Sequence, residues 1–166
     1  VELITKAISI KPDFAEAHSN LGNALKDLGQ MDEAVNSFRK SLAINPNLAE
    51  THNNLGNALK DLDQLEEAVA CFHSALTIKP DFTEAHYNLG NALQALNKTE
   101  ESLPSYAAAL SLNPGYTGAH YNLGNAFKEL GMLNEAVASY HATLAINPDH
   151  PEAWNNLNLA TNALVF

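Results

Sequence analysis

The sequence predicts an all-α fold, a right-handed α-solenoid of stacked antiparallel helix pairs, on three observations. The 166-residue chain aligns with itself at an offset of 34 residues. Within each period, apolar residues recur at helical spacing in two segments. A turn-forming residue separates the segments, and a proline follows the second one in every period.

The period divides the chain into a half repeat at 1–14, full repeats at 15–48, 49–82, 83–116 and 117–150, and a half repeat at 151–166. In the first full repeat, Ala17, Leu21, Ala24 and Leu28 mark one face of a first helix. Met31, Ala34, Val35, Phe38 and Leu42 do the same for a second helix. Gly29, Asp63, Asn97 and Gly131 fall between the two helices of successive repeats, and these residue types tolerate the left-handed backbone that follows a helix end. Pro46, Pro80, Pro114 and Pro148 stop the second helices, because proline lacks an N–H and restricts the residue before it. Gly22, Gly56, Gly90 and Gly124 lie inside first helices, at a cost of about 1 kcal/mol each against alanine. Close approach of the partner helix at the small residues Ala34, Ala68, Ser102 and Ala136 is the expected compensation. Pro104 falls inside the second helix of the third full repeat, which should begin near Thr99, and is expected to kink it or delay its start.

Composition narrows the function. The chain is 46% hydrophobic, enough for a core, and carries a formal net charge of −10 with one arginine and eight lysines. That balance offers no electrostatic footprint for nucleic acid or an anionic membrane surface. No apolar run is long enough for a membrane span, and no segment resembles a signal peptide. The single cysteine, Cys71, makes no internal disulfide, which favours an intracellular, cytoplasmic setting and a small apolar packing role for that side chain. The chain begins at Val1 in mid-pattern, so it reads as a piece of a longer protein.

A second register of identities runs through the repeats. Numbering each repeat from 1 to 34, Leu-Gly stands at positions 7 and 8, a small residue at 20, an aromatic at 24, a small residue at 27 and proline at 32. In the first full repeat these are Leu21, Gly22, Ala34, Phe38, Ser41 and Pro46; in the third they are Leu89, Gly90, Ser102, Tyr106, Ala109 and Pro114. This pattern resembles the tetratricopeptide repeat. The resemblance implies helix pairs that stack on their neighbours, with the first helix of each pair lining a concave face.

On the first helices, positions 2, 6, 9 and 13 share one stripe, opposite the apolar stripe. Position 6 is asparagine throughout, as Asn20, Asn54, Asn88, Asn122 and Asn156, and position 9 is Asn23, Asn57, Asn91 and Asn125 in the full repeats. Nine of the 20 asparagines thus fall in two rows, although asparagine is a poor helix former. A carboxamide offers an acceptor and two donors, so it can bond the C=O and N–H of one peptide unit together. Such a ladder would hold an extended peptide or protein segment by its backbone, with Lys26, Lys60, Lys128, Tyr87 and Tyr121 as flanking contacts. The rows are similar to those of the tetratricopeptide superhelix of O-GlcNAc transferase, which implies binding of extended protein segments. No glycosyltransferase domain accompanies them in this sequence. The plainer possibility is that the asparagines bond neighbouring helices and recur through duplication.

Catalytic and cofactor signals are missing. His18, His52, His86 and His120 recur at position 4, where the last half repeat has Trp154, so a ring-shaped packing slot explains them better than a metal. No zinc-protease, nucleophile-elbow, phosphate-loop or paired-cysteine motif occurs. The acid pairs Glu66–Glu67 and Glu100–Glu101 open second helices, where they complement the helix dipole. A carboxylate clamp of the kind found in some tetratricopeptide cochaperones is disfavoured, since position 2 is mostly glutamate. The sequence therefore points to a non-enzymatic peptide-binding module with no cofactor and no metal. The alternative is a self-assembling structural spacer. Its ends, with Leu3, Ile4, Ala7 and Ile8 at one and Trp154, Leu157, Leu164, Val165 and Phe166 at the other, are expected to favour head-to-tail association.

Overall fold

The computed structural model describes residues 1–165, and it is all-helical, with no strand among those residues. Phe166 and the side chain of Val165, expected at an exposed end, lie outside the described residues. The elements are α1 (Glu2–Ile10), α2 (Ala15–Asp27), α3 (Met31–Ile44), α4 (Ala49–Asp61), α5 (Leu65–Ile78), α6 (Thr83–Ala95), α7 (Thr99–Leu112), α8 (Thr117–Glu129), α9 (Leu133–Ile146) and α10 (Pro151–Val165). The chain forms two compact units, Val1–Asn88 and Leu89–Phe166. In the first, α2 packs on α3, α3 on α4 and α4 on α5; in the second, α7 packs on α8, α8 on α9 and α9 on α10.

The turn chemistry is as the sequence predicts. Gly29 and Gly131 have φ of 76° and 73°, and Asp63 and Asn97 adopt the same left-handed region at 61° and 58°. The second helices α3, α5, α7 and α9 each end two residues before their proline. Between a proline and the next first helix, the position-4 ring closes the connection. Nε2 of His18, His52, His86 and His120 lies 2.8 to 3.0 Å from the carbonyl of Pro12, Pro46, Pro80 and Pro114 respectively. Trp154 Nε1 donates to Pro148 O at 2.8 Å. The slot thus selects a ring N–H rather than a ring shape alone, which explains why histidine and tryptophan interchange there.

The cores are built from the small and aromatic positions. Ala34, Ala68, Ser102 and Ala136 are fully buried, as are the rings of Phe38, Phe72, Tyr106 and Tyr140. What faces the helical glycines is the position-24 ring and not the position-20 side chain. A Cβ on Gly22, Gly56, Gly90 or Gly124 would stand 2.6 to 2.7 Å from Cε1 of Phe38, Phe72, Tyr106 or Tyr140. Each glycine is a socket for the aromatic of its own repeat.

Pro104 also departs from expectation. Helix α7 starts at Thr99 and runs through Pro104 to Leu112, with the same 14-residue length as α3, α5 and α9. The start is therefore not delayed. Pro104 faces solvent, so the helix bond it cannot make leaves a carbonyl that water can reach. Ser102 Oγ donates to Thr99 O at 2.7 Å and reinforces the first turn.

Candidate functional site

In the first unit, α2 and α4 bring the predicted stripe together. Glu16, Asn20, Asn23, Glu50 and Asn54 line one open depression of about 290 Å³. Ser19, Leu48, Ala49 and Thr51 complete it, together with Asn47 and Lys79 from the connections that precede α4 and α6. The sequence reading missed Asn47 and Lys79. Position 31, which holds Lys79, is asparagine in the other full repeats, so no periodic chemistry marked it.

The asparagine rows are tied to each other. Nδ2 of Asn54 donates to Oδ1 of Asn23 at 3.1 Å, a bond from position 6 of one repeat to position 9 of the preceding one. In the second unit Asn122 reaches Asn91 at 2.8 Å and Asn156 reaches Asn125 at 2.9 Å in the same way. Asn88 is the exception, donating instead to Oδ1 of the buried Asn53 at 3.0 Å. The asparagines therefore do bond neighbouring helices. For Asn54 that bond occupies one of two amide hydrogens and leaves the carbonyl oxygen and the second hydrogen directed elsewhere.

The second unit adds further partners. The Tyr140 hydroxyl donates to Asn125 Oδ1 at 2.9 Å, and the Tyr106 hydroxyl is shared between Asn91 Oδ1 at 2.9 Å and Gln94 Oε1. Burial, reinforced by Tyr121, holds the Tyr140 hydroxyl protonated well above the usual phenol range, so it remains a donor. Both amide hydrogens of Asn156 are used, since Nδ2 also meets the Tyr121 hydroxyl at 3.2 Å, and Oδ1 accepts from Lys128 Nζ at 3.0 Å.

The flanking residues divide. Tyr121 is a packed side chain, with ring centroids 4.7 Å from His150 and 6.2 Å from Tyr140. Tyr87 is half-buried and Lys26 partly exposed. Lys60 pairs with Asp61 at 3.1 Å. On the second helices of the first unit, Arg39 and Glu67 form an exposed 2.8 Å pair near Cys71. Burial, then the Glu67 charge, pushes the partly buried Cys71 thiol up to about 11 against the opposing pull of Arg39. A protonated thiol there behaves as a small apolar group. Among the described residues no histidine, cysteine and carboxylate cluster could hold a metal ion, and no helix is long and apolar enough to cross a membrane.

Stacked helix pairs with an aromatic socketed on a helical glycine and a polar row on each first helix define a helical repeat protein. The chain belongs to the tetratricopeptide repeat family, which it matches over residues 3–36, 22–63, 56–97, 83–116 and 118–150. The solved structure of YrrB, described as a tetratricopeptide protein with an unusual peptide-binding site, is similar with 26% identity. It covers 96% of this chain and 82% of its own, at a TM-score of 0.86. The first tetratricopeptide domain of Spaghetti (RPAP3), solved with the HSP90 peptide SRMEEVD, is 27% identical over 71% of this chain and 94% of its own, at a TM-score of 0.70. MamA shares the fold at 23% identity over 90% of this chain and 87% of its own, at a TM-score of 0.84. No curated protein sequence matches the chain. Family membership supports a protein–protein interaction module.

Proposed function

We propose that the chain holds an extended segment of a partner protein against the first helices of its repeats, by hydrogen bonds from asparagine carboxamides to the segment's backbone. The observation that carries this reading is the depression between α2 and α4, where Asn20, Asn23 and Asn54 converge. The bond from Asn54 to Asn23 fixes the plane of one carboxamide while sparing its carbonyl oxygen and one hydrogen. A pre-oriented amide loses less rotamer entropy when it captures a peptide group. Asn57 and Asn88 extend the row within the first unit, and Asn91, Asn122, Asn125 and Asn156 form its counterpart in the second. Lys26, Lys60, Lys128, Tyr87 and Tyr121 flank the rows.

Peptide binding in two of the similar structures, YrrB and Spaghetti (RPAP3), supports the general mode. The charge on the depression argues against an acidic peptide such as the one bound to Spaghetti (RPAP3), because Glu16 and Glu50 face it with Lys79 the one cation among the lining residues. A neutral or basic segment suits it. A second reading, a structural spacer with no ligand, is favoured by the same asparagine bonds between helices.

The two readings separate in a titration. A panel of neutral and basic 12-residue peptides is screened by calorimetry, and the tightest binder is compared with its backbone N-methylated form and with the Asn20→Ala/Asn54→Ala variant. The backbone-clamp reading expects N-methylation to weaken binding at least tenfold with all peptide side chains intact. It expects a similar loss in the variant at unchanged helicity. No binding across the panel, or equal affinity for the N-methylated peptide, supports the spacer and overturns the clamp.

A further inference from the structure

The aromatic at position 24 differs between the two units, and that difference reaches the asparagine rows. Position 24 is phenylalanine in the first unit, as Phe38 and Phe72, and tyrosine in the second, as Tyr106 and Tyr140. All four rings sit in the same glycine socket, with the same Cε1 atom nearest the glycine. A tyrosine hydroxyl on that ring therefore arrives at the position-9 asparagine of its own repeat. Tyr106 and Tyr140 show this at 2.9 Å from Asn91 and Asn125.

A carbonyl oxygen has two acceptor sites. Oδ1 of Asn125 accepts from Tyr140 and Asn156 and is filled, while Oδ1 of Asn91 accepts from Asn122 and takes a share of the Tyr106 hydroxyl hydrogen, which Gln94 Oε1 also accepts. In the first unit, Oδ1 of Asn23 accepts from Asn54 alone. Asn57, with Phe72 beneath it, makes no bond of this kind, and Asn88 turns to Asn53 instead. The depression described above lies on this first unit.

We infer that the position-24 ring gates the asparagine row: phenylalanine leaves the position-9 carbonyl open to a peptide N–H, and tyrosine closes it. Peptide capture then falls on the first unit, at Asn23, Asn54 and Asn57, while the second unit's row is locked by its own hydroxyls. This assignment rests on the peptide-clamp reading and adds which rungs can act.

The test uses the whole chain with its asparagine side-chain amides observed by NMR, and acetyl-(Ala-Gly-Ser)4-amide as a neutral backbone probe. In the wild-type chain, shifts are expected at Asn23, Asn54 and Asn57 and not at Asn91 and Asn125. Phe38→Tyr/Phe72→Tyr should weaken the probe at least fivefold at unchanged helicity, and Tyr106→Phe/Tyr140→Phe should make Asn91 and Asn125 respond. The second variant removes only hydroxyls, so it reads the gate even if the first folds poorly. No response in either unit of the wild type overturns the clamp reading and this assignment with it. Equal responses in both units, or rows indifferent to Tyr106→Phe/Tyr140→Phe, overturn the gate alone and leave the clamp standing.

Discussion

At the scale of single residues, two periodic signatures turn out to be contacts with a defined partner. The helical glycine accommodates an aromatic ring, so adding a methyl group sets a gain in helix propensity of about 1 kcal/mol against overpacking of about 1 to 3 kcal/mol. The ring wins, because Phe72 is fully buried and its Cε1 lies 2.6 Å from where the new Cβ would stand. Gly56→Ala is therefore expected to lower stability in urea denaturation; a more stable variant would show that the ring can move aside. The position-4 ring supplies a donor to a proline carbonyl. His52→Phe should cost about 1 kcal/mol by removing the partner of Pro46 O, and His52→Trp should not, since Trp154 makes the same bond to Pro148. Equal melting temperatures for the two variants would return this slot to simple packing.

At the scale of elements, the helices were legible because each boundary has a local chemical cause. Gly29 and Asp63 announce left-handed turns, and Pro46 and Pro80 end helices, whatever the rest of the chain does. Contacts between helices were less legible. The glycine compensation was assigned to position 20, because small residues suggest close approach; in fact a ring at position 24 reaches across, and sequence spacing does not show how far a side chain extends. The asparagine bonds were foreseen only as a type, since a link such as Asn54 to Asn23 joins residues 31 apart and depends on how neighbouring helices are set. The switch of Asn88 to Asn53 had no signal at all. Pro104 is an interior proline, and of its two expected effects, a kink or a late start, the late start does not occur. Its cost remains: Pro104→Ala restores one helix bond and should stabilise the second unit by about 3 kcal/mol. Hydrogen exchange in α7 unchanged by this substitution would contradict that.

At the scale of the whole molecule, the chain presents apolar side chains at both of its outer helices. Leu3 and Ile10 on α1 are 83% and 78% exposed, and Leu159 and Leu164 on α10 are 54% and 45% exposed. By repeat position α1 is a second helix and α10 a first helix, and we propose that α10 of one copy of this 166-residue chain pairs with α1 of the next. A contact between different surfaces of identical chains is heterologous and propagates. Sedimentation of the 166-residue chain is expected to show a monomer when dilute and growing species when concentrated, with Leu3→Glu suppressing growth. A monomer at all concentrations up to the millimolar range would remove head-to-tail association.

The central claim is that asparagine carboxamides on the first helices hold a peptide by its backbone, and a crystal structure of the chain with the tightest peptide from the panel tests it most directly. The account predicts an extended peptide in the depression between α2 and α4, with backbone N–H and C=O groups within about 3.2 Å of the Asn20 and Asn54 carboxamides. A peptide seated elsewhere, or held there through its side chains while those carboxamides bond only each other and water, would contradict it.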